Sequence, residues 1–130
     1  MTQPDPDFPH ELRSFIQDII PSVDAAELLV LLAHDPARQY SVREAVDAMR
    51  PTPITEPAAR RYLLHFLARG LVTAPKEDAY RYGPASAEHD TMVRALTRVY
   101  NERPVTLVRM IYEPRDEKIR SFADAFRIKK

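Results

Sequence analysis

Hydrophobic positions recur at helical spacing over most of the chain, and prolines separate the resulting segments. The first predicted helix spans residues 9–20 and ends at Pro21; its apolar positions are Leu12, Phe15, Ile16, Ile19 and Ile20. The second follows a Ser22 cap and is apolar on nearly every side, at Val23, Leu28, Leu29, Leu31 and Leu32. We therefore expect the second helix to be the buried centre of the molecule.

Two shorter helices follow, each with its own start signal. The segment Ser41–Glu44 fits the capping box, in which serine and glutamate satisfy each other's free N–H groups, and it opens a short helix. Thr55 caps a further helix, Glu56–Arg69, which ends at Gly70. The inward positions predicted for this helix are Ala59, Tyr62, Leu63, Phe66 and Leu67.

After Gly70 the spacing changes to that of strands. Leu71–Thr73 and Ala79–Tyr82 predict two short strands, joined by a turn at Pro75–Asp78. Helical spacing then returns over residues 86–130, in a helix capped by Ser86, another that starts at Pro104, and a C-terminal amphipathic helix. The predicted fold class is mainly α, with one small β-hairpin.

The length and composition narrow the class of protein. A chain of 130 residues with 45% apolar residues suits a single domain over residues 1–130. The absence of cysteine excludes disulfides, thiolate metal sites and cysteine nucleophiles. Because the longest apolar run is only Leu28–Ala33 and Met1–His10 lacks signal-peptide features, we expect a cytoplasmic protein that does not enter a membrane.

The net charge of zero hides an uneven distribution. Residues 1–40 hold two basic and seven acidic side chains, residues 41–83 hold seven and five, and residues 84–130 hold ten and seven. A basic remainder behind an acidic N-terminal segment is compatible with binding nucleic acid and gives it weak support.

The order of these elements resembles the winged helix-turn-helix of bacterial transcription regulators. The resemblance covers residues 22–82 and rests on three segments: Tyr40–Val46, the helix that ends in Leu67–Val72, and the strand Tyr80–Tyr82. An N-terminal helix at 9–20 and a C-terminal helical extension at 86–130 flank this part. The resemblance implies that Glu56–Arg69 reads double-stranded DNA and that the Pro75–Asp78 hairpin touches its backbone or minor groove.

The candidate DNA-binding residues fall into two groups. Arg60, Arg61 and His65 are predicted to face outward on the reading helix; Arg43, Lys76 and Arg81 are candidate phosphate contacts. Glu56, Glu77 and Asp78 oppose this role, because their charges repel phosphate. An ordinary solvated helix face is the alternative interpretation of Arg60 and Arg61.

No pattern for catalysis or for a cofactor is present. The four histidines, His10, His34, His65 and His89, are far apart in sequence, so we predict no metal site. The cluster Glu88–Asp90 occupies the first turn of a helix, where acidic residues favour the dipole. We therefore expect a binding protein without a cofactor rather than an enzyme.

The flanking helices are the candidate interface for a homodimer or a protein partner. The apolar residues considered for it are Phe15, Ile19, Met92, Leu96, Val99, Tyr100, Phe122 and Phe126. The alternative is that the same side chains cover the molecule's own core, which is the preferred interpretation of Phe122 and Phe126. Two functions remain: a homodimeric, DNA-binding transcription regulator, and a winged-helix module that binds a protein, not DNA, through its helical flanks.

Overall fold

The computed structural model describes residues 10–112, which form helices around one two-stranded antiparallel sheet. The elements are α1 (His10–Ile19), α2 (Val23–His34), α3 (Val42–Ala48), α4 (Glu56–Ala68), β1 (Val72–Lys76), β2 (Ala79–Tyr82), α5 (Ala87–Glu102) and α6 (104–112). This order confirms the predicted mainly helical, winged helix-turn-helix fold. Pro9 and the predicted C-terminal helix with Phe122 and Phe126 lie outside the described residues.

The helix starts are set by side-chain caps, as predicted. The Ser22, Thr55 and Ser86 hydroxyl oxygens each accept a hydrogen bond from the backbone N–H three residues later, at 3.1–3.2 Å. At α3, Ser41 Oγ accepts from the Glu44 N–H at 3.0 Å, and Glu44 Oε1 accepts from the Ser41 N–H at 2.8 Å. These contacts satisfy N–H groups that have no partner inside the helix.

Gly70 reverses the chain after α4 and directs it into the sheet. Its φ of +76° is in the left-handed region that glycine favours. The Leu71 N–H donates to the Phe66 carbonyl at 2.9 Å, and the Gly70 N–H donates to the Leu67 carbonyl at 3.2 Å. This pair of bonds is a Schellman motif, and it confirms the C-terminal glycine that the sequence predicts.

The first strand of the sheet is longer than predicted, and a third segment, at Tyr40, pairs with β2. β1 continues through Pro75 to Lys76, and the turn is confined to Glu77 and Asp78. The strand tolerates proline because the register shifts between Thr73 and Lys76, where no regular ladder bond is required. On the other side of β2, the backbones of Tyr40 and Tyr80 exchange two hydrogen bonds of 2.8 Å.

The core surrounds α2, which confirms its predicted central position. Side chains from every described helix and both strands join one buried cluster, and those of Ala25, Leu28, Leu29 and Leu32 are fully buried. Truncating one of these leucines to alanine typically costs about 2–5 kcal/mol. Within residues 10–112, no helix is both long and apolar enough to cross a bilayer.

A chain of polar contacts fastens β2 to α5. The Tyr82 hydroxyl donates to Asp90 Oδ1 at 2.7 Å, and Arg94 Nε donates to Asp90 Oδ2 at 2.8 Å. The hydrogen bonds from Tyr82 and then Arg94 lower the pKa of Asp90 below its ordinary value. Burial, followed by the bond to Asp90, raises the pKa of Tyr82. The second strand of the hairpin is therefore anchored to α5 by an ionised carboxylate.

We expect Asp90→Asn to lower the free energy of unfolding at neutral pH by on the order of 1 kcal/mol, because an amide accepts hydrogen bonds less strongly than a carboxylate. Since folding depresses the pKa of Asp90, the contribution is present above the unfolded pKa and is lost as pH falls through the folded pKa. Urea denaturation at several pH values should show that the difference in unfolding free energy between the wild type and Asp90→Asn becomes smaller below about pH 4. Glu88→Gln, in the same helical turn, controls for the helix dipole; a difference for Asp90→Asn that stays constant down to pH 3 would contradict the assignment.

Candidate nucleic-acid interface

One face of α4 is exposed to solvent. Ala59, Leu63 and Phe66 are fully buried, which turns Arg60, Arg61 and Leu64 outward. The exposed side chains in the first nine residues of α4 line a shallow depression of about 430 Å³: Glu56, Pro57, Arg60, Arg61 and Leu64. We refer to these five residues as the α4 face. They combine two cations with apolar surface on the second helix of the helix-turn-helix.

Arg60 and Arg61 are the exposed cations of the α4 face. Within residues 10–112, neither forms an ion pair. The Arg61 guanidinium carbon lies 5.7 Å from the centre of the Tyr62 ring. The Tyr62 hydroxyl in turn accepts a hydrogen bond from Ser22 at 3.1 Å. The N–H donors of both guanidinium groups are therefore available to an external acceptor. The Tyr62 ring attracts the Arg61 guanidinium and so favours one orientation of that side chain.

His65 does not lie with these arginines, contrary to the sequence-based expectation that it faces outward. Its Nε2 is 2.7 Å from the Ile19 carbonyl oxygen, and its ring centre is 5.6 Å from that of Phe66. Because a carbonyl oxygen only accepts, the Nε2–H must be the donor. The ring is half-buried against the end of α1, where it satisfies a carbonyl left without a helical partner.

Arg43 lies near the start of α3 and faces the start of α4. Its Nε is 3.8 Å from Glu56 Oε2, and the two side chains are 82% and 53% exposed. An exposed pair at this distance contributes little to stability, so the guanidinium can exchange Glu56 for another anion at small cost. Glu56 also lowers the positive potential at the edge of the α4 face.

The hairpin supplies the other two predicted cations, which differ in exposure. Lys76 is exposed at the end of β1, whereas Arg81 is half-buried in β2 opposite Thr73. The hairpin turn contacts the first residue of α3, because Asp78 Oδ1 accepts from the Val42 N–H at 3.0 Å. This contact places the hairpin turn beside the start of α3, the helix that carries Arg43, and it does not involve Arg81.

Asp78 has a structural role that the sequence alone did not reveal. Its φ of +52° is in the left-handed region, which aspartate tolerates better than most residues. Its carboxylate accepts from the N-terminus of α3, where the helix dipole favours negative charge. Of the two turn acids expected to repel phosphate, Asp78 is thus engaged internally. Glu77 is exposed in the same turn.

Sequence reasoning missed two exposed residues near this surface. Leu64 is 48% exposed on the α4 face, although its helical spacing from Arg60 and Arg61 was sufficient to place it there. Arg38 precedes α3, and its guanidinium carbon lies 4.5 Å from the centre of the Tyr40 ring. Its position depends on the Tyr40–Tyr80 pairing, which no local pattern indicates.

The residues considered for a dimer interface divide by burial. Phe15, Ile19, Leu96 and Val99 are buried in the core of the single chain, as the alternative interpretation of these residues predicts. Met92 and Tyr100 are half-buried against that core, while Phe122 and Phe126 lie outside the described residues. Burial, with smaller contributions from Glu27, raises the pKa of the Tyr100 hydroxyl.

Glu27 of α2 binds the turn before α4. Its Oε2 accepts from the Thr52 hydroxyl at 2.6 Å. The turn that orients α4 is therefore attached to α2. Within the described part of the chain, no three His, Asp or Glu side chains are arranged to hold a metal ion.

Comparison with known proteins yields one distant likeness in structure. No protein-family model matches the sequence, and no curated protein matches it. A solved structure that resembles the chain is MepR, a transcription regulator of the Staphylococcus aureus multidrug efflux pump MepA. It is 15% identical, the match covers 92% of this chain and 90% of that chain, and the TM-score is 0.49. Function must therefore be inferred from the side chains of this chain.

We expect Asp78→Ala to lower the free energy of unfolding by about 1–2 kcal/mol, because it removes a charge-assisted bond at a helix N-terminus. Asp78→Asn should retain most of the stability, since asparagine keeps the acceptor oxygen and tolerates a positive φ. Glu77→Ala is the matched control in the same turn and should change little. Urea denaturation of the three variants measures these differences; equal stability of Asp78→Ala and Glu77→Ala would exclude the contact with α3.

Proposed function

We propose that this chain is a DNA-binding transcription regulator of the cytoplasm that reads duplex DNA with the α4 face. The observation that carries the proposal is the pair Arg60 and Arg61, which are exposed and without ion pairs within residues 10–112. They lie on the second helix of a helix-turn-helix, the element that enters the major groove in such proteins. Arginine is the side chain best suited to guanine, because its planar group donates to O6 and N7 together.

The position of the arginines within α4 supports this role. In helix-turn-helix proteins, the N-terminal residues of the recognition helix contact base edges. Arg60 and Arg61 are in the second turn of α4, whose N-terminus begins at Glu56. The buried side chains of Leu63 and Phe66 fix the rotation of the helix, so the arginines are presented by a rigid element.

Phosphate contacts are assigned to the cations beside the α4 face. Lys76 of the hairpin and Arg43 of α3 are both exposed, and the hairpin turn contacts the first residue of α3. Binding to phosphate would replace the loose pair between Arg43 and Glu56. Glu56 and Glu77 oppose the approach of DNA, so a modest affinity with a clear salt dependence is expected.

We further propose that the regulator acts as a homodimer. Helix-turn-helix dimers contact two half-sites about one turn of DNA apart, which requires a symmetric arrangement of two reading helices. Val105 and Val108 of α6 are 69% and 40% exposed, and this apolar surface is suited to a contact with a second copy of the chain. A dimer should select a two-fold repeated sequence.

The second candidate is a winged-helix module that binds a protein. The observation that favours it is the exposed apolar surface at Leu64, Leu67, Val105 and Val108, together with the net charge of zero. An apolar protein contact changes little with salt, whereas phosphate binding weakens steeply. Salt dependence therefore separates the two functions.

The direct test is selection of bound fragments from a random duplex pool, followed by titration of the best sequence at several salt concentrations. We expect Arg61→Ala to lower the affinity about tenfold or more, because one bidentate guanine contact contributes roughly 1–3 kcal/mol of discrimination. Arg98→Ala, which removes an exposed arginine of α5, is the matched control and should bind as the wild type does. No enrichment at low salt would reject DNA binding and favour the protein-binding module.

A further inference from the structure

Leu64 is a large apolar side chain on the α4 face, beside Arg60 and Arg61. It is 48% exposed and lines the same depression as Arg60, Arg61 and Pro57. Leu64 lies outside the core, to which α4 contributes the buried side chains of Ala59, Leu63 and Phe66. The exposed leucine is therefore available to an external apolar group.

The spacing relates Leu64 directly to both arginines. It follows Arg61 by three residues and Arg60 by four, so all three side chains lie on neighbouring turns of one helix face. A helical turn advances about 5.4 Å, and successive base pairs are separated by about 3.4 Å. A helix along the major groove would thus place Leu64 one or two base pairs from the pair contacted by arginine.

The major groove offers one apolar group at the edges of the four standard bases, the C5-methyl of thymine. On the basis of the DNA-binding function proposed above, we infer that Leu64 is a specificity-determining residue that packs against a thymine methyl. The recognised half-site then contains a guanine, bound by Arg60 or Arg61, and a thymine one or two base pairs away. The α4 face reads this pair of bases by combining cationic and apolar contacts.

Leu67 is a suitable comparison because it is also an exposed leucine of α4. It is 36% exposed and lies one turn closer to the C-terminus, beside the reversal at Gly70. It is absent from the depression that contains Arg60 and Arg61. Leu67 should therefore not contact the thymine assigned to Leu64.

The test removes the methyl group from the DNA and the leucine from the protein in a double-mutant cycle. Each thymine of the selected duplex is replaced in turn by deoxyuridine, which lacks only the methyl. At one thymine per half-site we expect about a fourfold loss of affinity for the wild-type protein, the effect of burying one methyl group. Leu64→Ala should bind thymine and deoxyuridine duplexes equally, whereas Leu67→Ala should retain the fourfold difference.

Each outcome bears on the inference. A methyl effect that is present in the wild-type protein and in Leu67→Ala but disappears in Leu64→Ala supports it. DNA binding with no methyl effect, or with an equal effect in Leu64→Ala, overturns the role of Leu64 and leaves the regulator function intact. Absence of any DNA binding rejects both. Leu64→Ala should unfold at the same urea concentration as the wild type, because the side chain is exposed.

Discussion

The arrangement of the proposed DNA-binding surface depends on the backbone pairing between Tyr40 and Tyr80. Their two 2.8 Å hydrogen bonds attach the hairpin to the segment that opens α3, and both side chains are buried. A two-stranded hairpin is marginal alone in water, so this pairing and the underlying core give it a fixed place. Asp78 adds a contact to Val42 from the hairpin turn. The hairpin is thus fixed against the start of α3, the helix that precedes α4.

A neutral chain can present a cationic surface because many of its acids are engaged elsewhere. Asp18 pairs with Arg69, Asp90 pairs with Arg94 and binds Tyr82, and Asp78 caps α3. Arg60 and Arg61 have no such partner within the described residues. The α4 face thus carries two cations without ion pairs among residues 10–112 and the single acid Glu56, although the sequence as a whole is neutral. The balance predicts binding that is specific and sensitive to salt, rather than tight at any sequence.

Features set by residues close in sequence were predictable, and features set by distant contacts were not. The caps at Ser22 and Ser41 and the reversal at Gly70 depend on residues within one helical turn. The inward direction of His65 arises from a carbonyl 46 positions earlier in the chain. The bond between Asp78 and α3 likewise joins elements that only the folded sheet brings together. Helical spacing was sufficient to place Leu64 on the outer face of α4. An exposed leucine indicates no function, however, until its neighbours in the structure are known.

The most direct test of a DNA-facing surface formed by α4 and the hairpin is cleavage of bound DNA from a tethered iron chelate. The chain contains no cysteine, so Ala68→Cys, Lys76→Cys and Asn101→Cys can each be labelled at one position. Labels at positions 68 and 76 should cut the selected duplex at adjacent places within each half-site, and the label on α5 at position 101 should not. Strong cleavage from position 101, with none from the other two, would contradict the account.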